Sequence, residues 1–138
     1  MANSLAAFPV IHVEGSKSSL DPYTRSRLGQ PVKGHESMAL LAGTSNPELA
    51  AKISDRLGQP LVQGSVKTFA DGEVAVSFKA ADVSKKHCYI IQPTCKPVND
   101  NLMQLVFMIS ACKRSGAASV TVIVPYFGYC RQDRRFKN

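Results

Sequence analysis

The sequence contains no tryptophan, no pair of cysteines at C-x-x-C spacing and no apolar run approaching the length of a membrane span. A helix that crosses a bilayer needs about 20 consecutive apolar residues. The N-terminus also lacks the apolar block of a secretory signal. A soluble, cytoplasmic protein without membrane partners is the resulting expectation. Cys88, Cys95, Cys112 and Cys130 stand far apart, so neither a zinc site nor a disulfide framework is signalled, and they read as reduced thiols in the core or at strand ends. His12, His35 and His87 lack metal-ligand spacing, and no metal site is assigned to this chain. The absence of G-x-G-x-x-G and of G-x-x-x-x-G-K-[ST] removes the dinucleotide and P-loop fingerprints. No Ser-His-Asp set stands out either.

Acid is also scarce. Ten Asp and Glu face 17 Lys and Arg, for a formal net charge of +7. The excess is local: Arg131, Arg134, Arg135 and Lys137 against Asp133 give a net +3 in the last eight residues. This segment leaves the apolar run Ser119 to Val124 through an aromatic turn, Pro125-Tyr126-Phe127-Gly128-Tyr129. Open parallel sheets bind ligands outside the carboxyl ends of their strands, so a cationic loop there suits a polyanion. A solvated basic tail is the bland alternative.

At 138 residues and 44% hydrophobic, the chain suits one core. Residues 1–37 are rich in Ser, Gly and Pro and keep no period for long, so a partly disordered extension is expected, with one short strand at Phe8 to Val13. Arg25, Arg27, Lys33 and His35 lend it a faint organellar flavour, which Glu14, Asp21 and Glu36 oppose. Arg27-Leu28 followed by His35 is similar to a peroxisome-like address, with the spacing off.

From Met38 the pattern is regular. Met38 to Ala42 predicts a strand, and Gly43-Thr44-Ser45-Asn46-Pro47-Glu48 a strand exit and helix start, capped by Ser45 with Glu48 or by Asn46 before Pro47. The capped end could take a phosphate, or be a cap and nothing more. Leu49, Ile53 and Leu57 share a helical face, and Gly58 supplies the stop. Val66 to Phe69, the turn at Ala70-Asp71-Gly72, and alternating Val74, Val76 and Phe78 predict a hairpin. Cys88 to Ile91 predicts a strand covered on both faces. A long helix follows, capped by Asn99 or Asp100, with Leu102, Leu105, Val106, Ile109 and Cys112 inward, and then the strand Ser119 to Val124. That order predicts a three-layer α/β unit with a parallel sheet and a protruding antiparallel hairpin.

Four segments carry a resemblance: Asn46-Pro47-Glu48-Leu49-Ala50, Phe69-Ala70-Asp71-Gly72-Glu73, Asn99-Asp100-Asn101-Leu102-Met103-Gln104-Leu105, and Pro125-Tyr126-Phe127-Gly128-Tyr129-Cys130-Arg131-Gln132-Asp133-Arg134. In order and spacing, residues 38–137 resemble the N-terminal part of the ribose-phosphate pyrophosphokinase family. The Arg-Gln-Asp element sets the chain apart from the family's non-catalytic associated proteins. The resemblance implies a phosphoribosyltransferase-like α/β fold, the first of two similar domains, incomplete here. It also implies pyrophosphoryl transfer from Mg-ATP to ribose 5-phosphate, giving phosphoribosyl pyrophosphate and AMP for nucleotide biosynthesis.

By that resemblance Arg131 is the catalytic group, and Arg131 and Gln132 meet the nucleotide phosphates. Asp133, Arg134 and Arg135 would open the mobile ATP loop. Phe69, Asp71, Gly72 and Glu73 would serve adenine in a homo-oligomer whose ATP site is shared between subunits. Asp71 read alone is a good turn residue. The family's Mg2+ ligands, catalytic Lys-Arg region and ribose-5-phosphate loop would lie beyond Asn138. The chain is thus expected to be a fragment or a truncated product, inactive alone. Asp82-Val83-Ser84 stands where phosphate-activated members carry Ser-Val-Arg, which counts against phosphate activation.

Two other functions fit less well. A nucleic-acid module fits the pI near 9.4, but its bases would form a long patch with several aromatics rather than one loop. No nucleic-acid partner is expected. A non-catalytic regulatory or scaffolding subunit of the synthetase remains, because it needs the fold without the chemistry.

Overall fold

A computed structural model describes residues 10–13 and 37–132. Strand β1 is Val10–Val13 and β2 is Met38–Ala42; helix α1, Pro47–Leu57, follows. The hairpin strands are β3, Gly64–Thr68, and β4, Val74–Phe78. Then come β5, His87–Ile91, helix α2, Val98–Arg114, and β6, Ser119–Ile123. The main sheet has the order β1-β6-β5-β2, in which β2, β5 and β6 are parallel and β1 lies antiparallel on the β6 edge.

Both faces of the parallel strands are covered, which is why they read as nearly continuous apolar runs. Alternation still sorts the side chains. Ala39, Leu41, Cys88, Ile90, Val120 and Val122 face α2, where they meet Leu105, Met108 and Cys112. Leu40 and Ile91 point the other way, toward Ala50 and Ile53 of α1. The three layers expected from the sequence are present. Within the core the Cys112 thiol donates to the Cys88 sulfur. That bond, together with burial and the neighbouring sulfur's charge, pushes Cys112 well above the usual thiol range, while the bond draws Cys88 down. Both are fully buried, so they pack rather than react.

The hairpin is not an excursion of the parallel sheet. β3 and β4 form a sheet of their own, and Val66, Val76 and Phe78 pack it onto the cluster beneath α2. The outer edge of β2 is met instead by the chain leading into the hairpin, where the Val62 amide donates to the Leu40 carbonyl at 2.7 Å.

Helix ends and faces depart from expectation in instructive ways. Asn46 caps α1, its Oδ1 accepting from the Leu49 amide at 3.0 Å with Pro47 at the first turn, and Gly58 closes the helix at φ 61. Leu57, on the face shared with Leu49 and Ile53, is 43% exposed, and the buried anchor of α1 is Ala50. Neither Asn99 nor Asp100 caps α2, which begins at Val98 after Pro97 with no side-chain cap. Val106, expected inward, is 48% exposed. The face that α2 buries is Asn101, Gln104, Leu105, Met108, Ala111 and Cys112. Two polar residues occupy that face, so ranking positions by hydrophobicity rotated it.

Gly43 explains why the strand exit is fixed. A Cβ at this position would lie 2.1 Å from Gln92 Oε1 and 2.4 Å from its Cδ. Gly43→Ala should therefore cost roughly 2–4 kcal/mol, by overpacking and by breaking buried hydrogen bonds. Gly58→Ala, with φ 61 and nothing within 4 Å of the added carbon, should cost only about 1 kcal/mol for a left-handed alanine. Urea denaturation of the two variants measures the difference, and equal losses would refute the steric account.

Candidate functional site

The parallel strands β2, β5 and β6 end at one edge of the sheet, and three loops meet there. Gln92 follows β5 with the same parity as Cys88 and Ile90, so its side chain turns toward α2 and is fully buried. Its Nε2 donates to the Asn101 carbonyl at 3.2 Å and to Gln104 Oε1 at 3.1 Å. Its Oε1 accepts from Ser45 Oγ at 2.9 Å. Gln104 Oε1 also accepts from the Thr44 amide and hydroxyl, at 3.2 and 2.8 Å. Asn101 Nδ2 donates to the Cys95 carbonyl at 2.8 Å. Among the described residues no buried side-chain polar atom lacks a partner, as the cost of an unmade buried bond requires.

Thr94 ties the third loop into this frame. Its amide and hydroxyl both donate to the Tyr126 carbonyl, at 2.8 and 3.1 Å, and its Oγ1 accepts from the Gly128 amide at 2.6 Å. Gly128 is buried against these groups, and a Cβ there would lie 2.8 Å from Val98 Cγ1 and 2.9 Å from the Thr94 carbonyl oxygen. The next residue, Tyr129, takes φ 63, a conformation that costs a bulky residue about 1–3 kcal/mol unless its surroundings hold it. Its hydroxyl donates to Asn99 Oδ1, the residue that the sequence had suggested as a helix cap. Cys130 Sγ donates to the Phe127 carbonyl at 2.9 Å, and a single 3-10 turn, Cys130–Gln132, follows.

The outcome is an open cleft of about 600 Å³ lined by Val98, Tyr126, Phe127, Gly128, Tyr129, Cys130 and Arg131. It has two exposed phenol rings, an apolar floor and one guanidinium. Arg131 is exposed at its rim, where five N–H donors can meet phosphate oxygens in a bidentate manner. Gln132 closes the 3-10 turn, and Asp133 and Arg134 lie outside the described residues.

The second group of sequence candidates sits at the hairpin tip. The Phe69 amide donates to the Glu73 carbonyl at 2.8 Å, and Gly72, at φ 91, donates to the Phe69 carbonyl at 3.0 Å. Asp71 Oδ1 accepts from the Glu73 amide at 3.0 Å, so Asp71 does build the turn. Phe69 is 56% exposed. None of Phe69, Asp71, Gly72 and Glu73 lines the cleft at Arg131. A smaller cleft of about 320 Å³ at the hairpin base, between Thr44, Ser65, Ser77 and apolar residues, contains none of them either. Within one chain, the two predicted groups are separate. Among the described residues no cluster of three or more His, Cys, Asp or Glu could hold a metal ion. No described residue is therefore given a role toward Mg2+.

Sequence reasoning missed Val98 as a lining residue of the cleft, and Thr94 and Asn99 as the residues that hold its loop. Thr94 carries no pattern signal at all, whereas the aromatic turn at Tyr126 and Tyr129 did point to it.

The family model of the N-terminal domain of ribose phosphate pyrophosphokinase matches residues 38–138. A ribose-phosphate pyrophosphokinase of Vibrio parahaemolyticus is 52% identical over 101 residues, which cover 73% of this chain and 32% of the relative. Ribose-phosphate pyrophosphokinase 2, chloroplastic, of Arabidopsis thaliana is 40% identical over 134 residues, covering 96% of this chain and 32% of the relative. The fold is similar to the crystal structure of phosphoribosylpyrophosphate synthetase from Mycobacterium smegmatis. The TM-score is 0.63 at 32% identity, over 72% of this chain and 33% of that one. The chain thus spans about a third of the length of these relatives. No helix among the described residues is long and apolar enough to cross a membrane.

Thr94→Val keeps the side chain's shape and removes its oxygen. It should destabilise the chain by about 1–3 kcal/mol, because the buried Gly128 amide loses its acceptor. Amide exchange should quicken across residues 126–131 and stay slow in β5; uniform quickening would show that Thr94 does not hold this loop in particular.

Proposed function

We propose, from the premise that this chain belongs to the ribose-phosphate pyrophosphokinase family, that it supplies the N-terminal nucleotide-binding part of an enzyme of that activity. The reaction moves a pyrophosphoryl group from Mg-ATP to the anomeric hydroxyl of ribose 5-phosphate and leaves AMP. Transfer of this kind needs reactants held in line and phosphate charge neutralised, more than covalent help. The observation that carries the reading is the cleft from Tyr126 to Arg131, which puts a guanidinium beside aromatic surface at the carboxyl ends of parallel strands. Arg131 is the proposed catalytic group, neutralising phosphate oxygens, with Gln132, Asp133 and Arg134 continuing the phosphate-binding loop.

Phe69, Asp71, Gly72 and Glu73 are assigned to adenine, the ring stacking on the base and the carboxylates accepting from its exocyclic amine. Exposure of Phe69 and its absence from the Arg131 cleft favour delivery to the site of a second copy over use within one chain. The proposed active form is accordingly a homo-oligomer whose ATP site is shared between subunits.

One observation favours a second reading, a non-catalytic subunit that assembles with full-length synthetase. Met103, Val106 and Phe107 form an exposed apolar stripe on α2 at spacings of three and four. Co-purification with a full-length synthetase that alters its turnover would support that reading, and failure to co-purify would remove it.

Nucleotide titration tests the main reading. ATP should bind more tightly than AMP. Arg131→Ala should abolish that difference, and Phe69→Ala should weaken both by about 1 kcal/mol. Affinity should rise with protein concentration and fall with salt, since the phosphate contact is exposed and Coulombic. Tight binding by a strictly monomeric chain, insensitive to Phe69→Ala, would contradict the shared site. The chain alone should form no phosphoribosyl pyrophosphate. AMP release that depends on ribose 5-phosphate, in protein free of host enzyme, would overturn that expectation.

A further inference from the structure

We propose that Tyr129 and Asn99 form a positioning pair that sets the direction of Arg131 toward the phosphates of a nucleotide in the cleft; this rests on the nucleotide reading of that cleft. The Tyr129 hydroxyl donates to Asn99 Oδ1 and so joins the loop after β6 to the first turn of α2, across 30 residues of sequence.

Three observations point to a positioning role over a folding one. The ring of Tyr129 is 52% exposed and Asn99 is exposed, so the bond covers little apolar surface and contributes little to the core. Asn99 is the second residue of α2 and caps nothing, which leaves its side chain to the tyrosine. Tyr129 also holds a left-handed backbone at φ 63, with Gly128 anchored on Thr94 before it and the Cys130–Gln132 turn after it. An aromatic residue kept in that region between two fixed points acts as a rigid corner. Arg131 lies two residues past the corner, so swinging the ring off Asn99 would move the guanidinium at the rim. Val98, the residue before Asn99, lines the same cleft as Tyr129 and Arg131, so the clasp lies beside that cleft.

A tyrosine used for packing alone would behave differently from one that aims a guanidinium. Loss of packing weakens every ligand and lowers the melting temperature. Loss of aim weakens only the ligand with phosphates for Arg131 to meet. The experiment is calorimetric titration of Mg-ATP and of AMP into the whole chain, with thermal melts, for wild type, Arg131→Ala, Tyr129→Phe, Asn99→Ala and the Tyr129→Phe/Asn99→Ala double variant. Each single change at the clasp should weaken ATP roughly 5-fold, the size of one lost hydrogen bond. AMP should change less than about 2-fold and the melting temperature should scarcely move. The double variant should be no worse than either single, because both remove one bond.

Wild-type affinity for ATP in Tyr129→Phe would overturn the proposal. So would equal losses for ATP and AMP accompanied by a lower melting temperature, or additive losses in the double variant. A wild-type chain that does not prefer ATP to AMP, with Arg131→Ala unchanged from it, would instead sink the nucleotide reading and the pair with it. Loss of the ATP preference in Arg131→Ala alone would leave that reading standing and refute only the positioning role.

Discussion

The amide of Gln92 is the constraint on which the functional end of this domain depends. A primary amide buried in an apolar core is costly unless both its donors and its acceptor are engaged. Gln92 meets that demand by reaching three residues on two segments: Ser45 after β2, and Asn101 and Gln104 on α2. Each partner is then fixed in turn, since Gln104 receives Thr44 and Asn101 reaches Cys95. Gly43 must be glycine because this amide occupies the space a side chain would need. The strand ends are held together by these buried polar groups, while the apolar clusters on either side fix the layers.

From that frame the cleft follows with little further cost. Once α2 is docked through Asn101 and Gln104, Val98 lines the cleft and Asn99 beside it meets Tyr129. Once the loop after β5 is set, Thr94 presents its hydroxyl to Gly128 and its backbone to Tyr126. The loop after β6 has few remaining choices and turns back through a left-handed Tyr129 to expose Arg131. The hairpin packs on the same core but stands apart from the cleft. It has its own two-stranded sheet, packs through Val66, Val76 and Phe78, and leaves its tip in solvent.

What could be read in advance divides along the same line. Elements governed by apolar patterning were legible: the runs at Met38, Cys88 and Ser119 are strands, the 98–114 segment is a helix, and Val74 to Phe78 is a strand of a hairpin. Resemblance supplied the family, because four motifs in order carry more than any single pattern. Polar residues doing the work of core residues were not legible. Asn101 and Gln104 were left out of the inward set, so the buried face of α2 was placed too far toward Val106. Asn99 looked like a cap because asparagine before an apolar run usually is one, and nothing local reveals a partner 30 residues away. The parallel sheet was expected to carry the hairpin, since strand order says nothing about which sheet a strand joins.

The separation of the two proposed nucleotide elements has a physical consequence of its own. A guanidinium at one strand end and an exposed aromatic turn on a separate hairpin can be rigid individually without being rigid relative to a ligand. In the proposed reading each would supply only part of what ATP needs, charge neutralisation in one place and base stacking in the other. In one chain they line no common cleft, so in the proposed shared site the hairpin contacts to a nucleotide at Arg131 would come from another copy. Bringing the tip of a second copy to that base would make the association of chains and the binding of nucleotide two sides of one equilibrium, each strengthening the other by the same factor. Such a domain needs no large apolar interface of its own, because part of the association energy can come from the ligand that both copies hold.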